Sequence, residues 1–162
     1  MSGRIDCTRD REVATVTLSN PAKLNAVDSA MWLQLTHVVS GLAADPQLRC
    51  LVLRGEGEQA FAAGGDIEEF STQRDTVDRA MAYHAQAGAA LRAVGDCPLP
   101  TVALIHGACI GGGLEIAAQC DLRVCGESAR FGAPINRLGF SMYPVEMQAL
   151  LRLAGAATMR EL

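Results

Sequence analysis

The run "HGACIGGGLE" at residues 106–115 sets three consecutive glycines, Gly111, Gly112 and Gly113, ahead of a carboxylate, Glu115. A second run, "AAGGDIE" at residues 62–68, has the same form: small residues and glycines feed acidic side chains, Asp66 and Glu68. Consecutive glycines before a helix are costly, because glycine loses more chain entropy on folding than any other residue. At a helix start the first N–H groups lack intrahelical partners and the dipole favours negative charge. Bare glycine lets a ligand oxygen approach those donors. Two such N–H groups aimed at one point form an oxyanion hole, where removing one donor costs about 2.7–4 kcal/mol of transition-state stabilisation. The plainer reading stands beside this one: a Glu near a helix start is a usual capping residue, and glycine loops also serve tight packing. Either loop alone leaves both readings open.

Several other chemistries are disfavoured. No Gly-Lys-Ser/Thr follows the glycines, so they are not a P-loop, and "GACIGGG" lacks the GxGxxG spacing of a dinucleotide fingerprint. No GxSxG elbow occurs, which disfavours a Ser–His–Asp hydrolase. The six cysteines (Cys7, Cys50, Cys97, Cys109, Cys120, Cys125) stand singly with no CxxC pair. His106, Cys109, Cys120 and Cys125 lack the paired spacing of a metal set, so neither a metal nor a disulfide is expected. The net charge of −4, without a basic run, argues against nucleic acid as a partner. Apolar stretches are strand-length and broken by Gly or charge, so no membrane span is expected. The start "MSGRIDCTRDREV" is too polar for a secretory signal, which makes the cytoplasm the expected compartment.

The elements that must position these loops read as an α/β arrangement. At 162 residues the length suits one domain over 1–162. Residues 13–18 alternate β-branched and small side chains as a strand, with 5–9 as its hairpin partner. Met31, Trp32, Leu35, Val38, Val39 and Leu42 recur at helical spacing behind Asp28 or Ser29 as N-cap. Residues 49–54 form a short buried strand, and "GEGEQAFAAGGDIEEF" is a glycine-rich loop. Val77, Met81, His84, Gly88 and Leu91 mark a second helix. Residues 101–105 return as a strand, 114–120 as a short helix and 122–125 as a strand. The remainder is a loop followed by helical pattern. Strands alternating with helices imply parallel strands crossed by helices.

These residues carry a family resemblance. "AFAAGGDIEEF", then "PTVALIHGACIGGGLEIAAQCDLRVCGESARFGAP", with "SNPAKLNAVD" ahead of both, resemble the enoyl-CoA hydratase/isomerase (crotonase) superfamily through essentially the whole chain. The resemblance implies a crotonase-like β-β-α spiral of the ClpP/crotonase type, with a C-terminal helical region that builds a homotrimer or a dimer of trimers. This chain stops short of most of that region. It also implies an acyl-CoA substrate and an enolate stabilised at the thioester oxygen, with no metal or redox cofactor, since CoA arrives within the substrate. The N–H groups of Gly65 and Gly112 correspond to the oxyanion donors, Gly65 standing where hydratases often have alanine. Lys23, Leu24 and Asn25 match the loop around the adenine, together with Ala63 and Ile67; Asp66 and Glu68 belong to the same stretch, Asp66 fixing its own loop. Glu115 matches the first of two catalytic glutamates.

The departures matter as much. Where hydratases carry the second glutamate, after the proline of "FGAPINRLGF", this chain has Ile135, which moves no proton. Asn136, Ser141, Tyr143 and Glu146 lie nearby, and none matches a family catalytic position. The sequence therefore points to an acyl-CoA enolate site with Glu115 as proton-transfer group. It leaves open hydration, another thioester reaction such as isomerisation, decarboxylation or hydrolysis, and a catalytically weak acyl-CoA-binding remnant. His37, His84 and His106 are expected to be structural, His84 because it falls on an apolar helix stripe.

Overall fold

In the computed structural model, residues 3–139 and 142–161 are described. The chain opens on a hairpin, β1 (Arg4–Asp10) and β2 (Val13–Ser19), paired antiparallel from Arg4↔Ser19 to Asp10↔Val13. Helix α1 (Ser29–Ala43) follows, then β3 (Cys50–Gly55) and β4 (Ala60–Ala62). After the short α2 (Phe70–Gln73) and the long α3 (Val77–Gly95) come β5 (Thr101–Ile105), β6 (Ala108–Ile110) and α4 (Gly112–Gln119). Strands β7 (Leu122–Cys125) and β8 (Arg130–Gly132), a turn of helix α5 (Ile135–Leu138) and α6 (Pro144–Glu161) complete the order, α6 being broken at Gly155.

Each turn of the chain thus lays down two strands and a helix. The opening hairpin and the first strand of each later pair form a five-stranded sheet, β1-β2-β3-β5-β7, and the second strands form a three-stranded sheet, β4-β6-β8. Beyond the hairpin all pairings are parallel, as crossover helices require. Alternation drives the larger sheet's burial: Ala14, Val16 and Leu18 of β2 and Leu51 and Leu53 of β3 are wholly enclosed. Helix α1 covers them with Met31, Trp32, Leu35 and Val39. Asp28 rather than Ser29 is its N-cap, Oδ1 accepting from Met31 N–H at 2.8 Å while Oδ2 accepts from Gly3 N–H at 2.7 Å.

Two expectations need correction. The runs read as loop contain β4, β6 and β8, three-residue strands too short to show any period. The stripe assigned to α3 holds at Gly88 and Leu91, which are buried, but not in the first turns. Val77 and Met81 are 80% and 51% exposed, whereas Tyr83, Ala87, Ala90, Leu91 and Val94 face the core. His84, placed on that apolar stripe by spacing, borders an open cavity instead.

The small sheet is what positions the chemistry. β4, β6 and β8 run parallel, with Ala62↔Cys109 and Ile110↔Gly132 in register, so their C-terminal ends emerge side by side. They deliver Gly64–Gly65, Gly111–Gly112 and Pro134–Ile135 to one edge.

Candidate active site

The three glycines of the 106–115 run, Gly111, Gly112 and Gly113, do different work. Gly111 has φ +48°, which side-chain-bearing residues rarely adopt, and it turns the chain from β6 into α4. A side chain on Gly113 would collide with the Ala62 carbonyl, so α4 lies directly on β4 only because that position is bare. Gly112 lies between them at the first position of α4, where its N–H has no intrahelical partner. The two glycine loops are in van der Waals contact: a Cβ at Gly112 would lie 3.6 Å from the Gly64 carbonyl carbon. The parallel strands under them thus bring together Gly65 and Gly112, and among the described residues neither N–H meets an acceptor.

Both glycines line a cavity of about 350 Å³ whose remaining wall includes Trp32, Phe70, Tyr83, Ile135 and Arg137. Glu115 enters it one helical turn beyond Gly112. It is 8% exposed, and its carboxyl has no hydrogen-bond partner among the described residues. Burial pushes it up from 4.5 to about 8; the nearby charge of Glu146 adds to the rise and the Arg74 guanidinium opposes it. At neutral pH the group is thus held mainly as the acid, within reach of either protonation state, as a proton-transfer group needs.

Three aromatic contacts shape the wall beside Gly65. The Tyr83 hydroxyl accepts from Trp32 Nε1 at 2.9 Å, and the Arg74 guanidinium lies over the Tyr83 ring at 3.8 Å and the Phe70 ring at 4.0 Å. A methyl at Gly65, the alanine of many hydratases, would come within 2.8 Å of the Tyr83 hydroxyl. Glycine at this position and tyrosine at 83 therefore fit as a pair. The spacing of neither residue reveals that fit in the sequence.

The residues expected around the adenine divide. Ala63 and Ile67 line the cavity, Ile67 being 63% exposed. Lys23 reaches across to Asp66 at 2.6 Å and Glu68 at 2.7 Å, tying the loop after β2 to the loop after β4. These hydrogen bonds, Asp66 first, raise the lysine's proton affinity. Asp66 also accepts from Glu68 N–H at 3.1 Å, so its carboxylate is spent on its own loop. Leu24 is half-exposed and, like Asn25, lies outside this cavity. The Asn25 side chain is buried and holds its loop, donating to the Glu56 and Ala60 carbonyls at 3.0 and 2.8 Å and accepting from Asn20 N–H at 3.1 Å.

Of the neighbours considered near Ile135, Ser141 and the side chain of Asn136 lie outside the described residues. Glu146 lies inside the cavity wall, 6% exposed, with His84 beside it at 2.8 Å. Among the described residues no cluster of three or more His, Cys, Asp or Glu could hold a metal, and no helix is long and apolar enough to cross a membrane. All six cysteines are free thiols.

Comparison with known proteins agrees with this architecture. The family model for enoyl-CoA hydratase/isomerase matches residues 8–162. A short-chain-enoyl-CoA hydratase of Clostridium acetobutylicum is 31% identical over 154 residues, covering 95% of this chain and 58% of the relative. A mitochondrial Delta(3,5)-Delta(2,4)-dienoyl-CoA isomerase of Dictyostelium discoideum is 31% identical over 161 residues, covering 93% of this chain and 54% of the relative. The crystal structure of an enoyl-CoA hydratase/carnithine racemase from Magnetospirillum magneticum superposes with a TM-score of 0.95 at 41% identity, over 97% of this chain and 59% of that one. The chain therefore spans a little over half the length of these relatives, and over that span it has the crotonase fold. It belongs to the enoyl-CoA hydratase/isomerase family.

Proposed function

We propose that this chain carries the enolate-forming half-site of an enzyme acting on an acyl-CoA thioester, in the manner of an enoyl-CoA hydratase or isomerase. The observation that supports it most strongly is Glu115, a buried carboxyl raised to about 8, set against two abutting glycine loops in one cavity. The thioester oxygen takes the N–H groups of Gly65 and Gly112, so negative charge developing there meets fixed donors that need no reorganisation. Glu115 then exchanges a proton with the carbon next to the thioester carbonyl. As the acid it completes addition to an enoyl substrate, and as the carboxylate it removes an α-proton from a saturated or shifted one. The CoA moiety approaches over Ala63 and Ile67, with the Lys23–Asp66–Glu68 ion pairs holding the rim. No metal or redox cofactor is called for in these steps.

Steady-state hydration of a short 2-enoyl-CoA tests this, followed by loss of the conjugated thioester absorbance, with wild type and Glu115→Gln compared. The variant should lose about 10²–10⁴-fold in kcat. Equal rates would remove Glu115 from the mechanism.

Ile135 favours a second reading, because the cavity has no carboxylate at that position. A single proton-transfer group suffices for double-bond migration once the enolate is held. Product analysis on 2-enoyl- and 3-enoyl-CoA separates the two: migration without water adducts supports isomerisation, and water adducts alone exclude it. Acyl-CoA binding without turnover of either would leave only a binding role.

A further inference from the structure

Addition of water needs a group to take its proton, and Ile135 cannot. The cavity holds another candidate on α3, far from residue 135 in sequence. His84, from α3, lines the cavity with a side chain 11% exposed. Its Nδ1 lies 2.8 Å from Glu146 Oε1, while Glu146 Oε2 accepts from the Tyr143 N–H at 2.9 Å. Both carboxylate oxygens of Glu146 are thus engaged. The Tyr143 ring stacks on the imidazole at 3.8 Å and 23°, and the Tyr83 ring meets it edge-on at 5.9 Å. The imidazole is therefore fixed in plane and in rotation. A carboxylate only accepts, so Nδ1 carries a proton, and the neutral form of the ring has its lone pair on Nε2. Nε2 makes no hydrogen bond to a described residue.

We propose that His84, oriented by Glu146, is the second proton-transfer group of this site and replaces the carboxylate absent at position 135. The inference rests on the enolate reading above. His84 touches the attacking water, and Glu146 is a positioning residue that acts through the ring. In the forward step the water oxygen bonds to the β-carbon as its proton passes to His84 Nε2. The electron pair of the double bond moves into the enolate held by Gly65 and Gly112. The Glu115 carboxylic proton then bonds to the α-carbon, leaving a carboxylate. The imidazolium returns its proton through water to Glu115, so that one water has been added and both groups are restored. Glu146 also has a plainer use: Pro144 opens α6, and the bond from Tyr143 N–H to Glu146 is the back half of a capping box. Capping accounts for Oε2, but it gives no reason for Oε1 to face His84 across 62 residues.

The full chain is assayed on a short 2-enoyl-CoA as wild type, His84→Gln and Glu146→Gln. His84→Gln should lower kcat by about 10²–10⁴-fold while KM stays within about threefold, because the group acts on water and not on the thioester. Nitrogen NMR of the imidazole provides a readout that a capping role would not move: wild type should carry the proton on Nδ1, and Glu146→Gln should release that tautomer. A kcat for His84→Gln within about threefold of wild type, or an Nε2-protonated ring in wild type, would overturn the proposal. If the variants fail to fold, the wild-type tautomer decides. Wild-type exchange of the α-proton of a saturated acyl-CoA with deuterated water, without hydration, refutes the dyad and spares the enolate reading. Neither exchange nor hydration refutes both.

Discussion

Replacing Glu115 by Gln should make the protein more stable as it disables the site, and the gain should grow with pH. The unfolded chain ionises Glu115 at about 4.5 and the folded chain only at about 8. Below pH 4.5 both states hold the proton and burial carries no electrostatic penalty from this group. Between the two values the native state keeps a proton that the unfolded state has released, so stability falls as pH rises. Above 8 the loss is complete. At 1.36 kcal/mol per unit the full displacement corresponds to about 5 kcal/mol, of which about 3 kcal/mol is already lost at pH 7.

The amide of Glu115→Gln has the same shape and no titration, so it avoids that loss. It leaves an unpaired polar group in the cavity instead, at about 1–3 kcal/mol independent of pH. The net gain at pH 7 is then about 2 kcal/mol or less, or up to roughly 4–8 °C in Tm for a chain of this size. The informative quantity is the slope. Urea unfolding at intervals from pH 5 to 8.5 should show the variant-minus-wild-type difference rising by about 1.4 kcal/mol per pH unit, then levelling. Titrating groups not coupled to Glu115 cancel in that difference. A flat difference across the range would refute the account of Glu115 as a buried, proton-holding carboxyl, and with it the physical basis for its role.

The same displacement should split two reactions of the wild type. Exchange of an α-proton needs the carboxylate and should rise roughly tenfold per unit up to about pH 8, whereas hydration needs the acid and should decline above it; parallel profiles would contradict this. Because Glu146 contributes to the rise, Glu146→Gln should move the exchange profile to lower pH. Gly65→Ala should destabilise by about 1–3 kcal/mol, since the methyl meets the Tyr83 hydroxyl. Tyr83→Phe should recover part of that loss in the double variant, and thermal melting of the four-member cycle measures the coupling. Asn25→Ala should cost about 2 kcal/mol or more by freeing the buried Glu56 and Ala60 carbonyls and the Asn20 N–H. For the folded fraction of that variant, KM for an acyl-CoA should be unchanged; a large rise would return Asn25 to the ligand.

What was legible in the chain follows from how far each signal reaches. Residues 13–18 and the repeat of Met31, Trp32, Leu35 and Val39 declare a strand and a helix, because burial repeats within a single element. The glycine runs before Asp66 and Glu115 declare a backbone that must stay bare, and ordered motifs tie that backbone to a family. β4, β6 and β8 are invisible by the same logic: three residues complete no period, and their pairing partners are about 20 or more residues away. Yet these strands bring the two glycine loops to the wall of one cavity. In α3 the spacing finds Gly88 and Leu91 but misleads in the first turns, where Val77, Met81 and His84 keep the repeat while the buried set begins at Tyr83.

A His on the core face would be a packed ring; a His beside the core face meets the cavity, and there Glu146 of α6 finds it. Read along the chain, Ile135 looks like a loss, since nothing adjacent replaces a carboxylate. Read in space, the charge has a different route in, through the first turn of α6 and an imidazole on α3. An acid–base pair needs proximity and matched protonation states, and neither depends on neighbouring positions in sequence. Glu115, raised to about 8 by burial and by the charge of Glu146, holds a proton; His84, with Nδ1 committed to Glu146, offers in its neutral form a lone pair to receive one. The two groups are complementary in function, one donor and one acceptor facing the same 350 Å³. A pair of that kind is what addition of water across a double bond requires, and a single buried carboxyl beside an isoleucine is not.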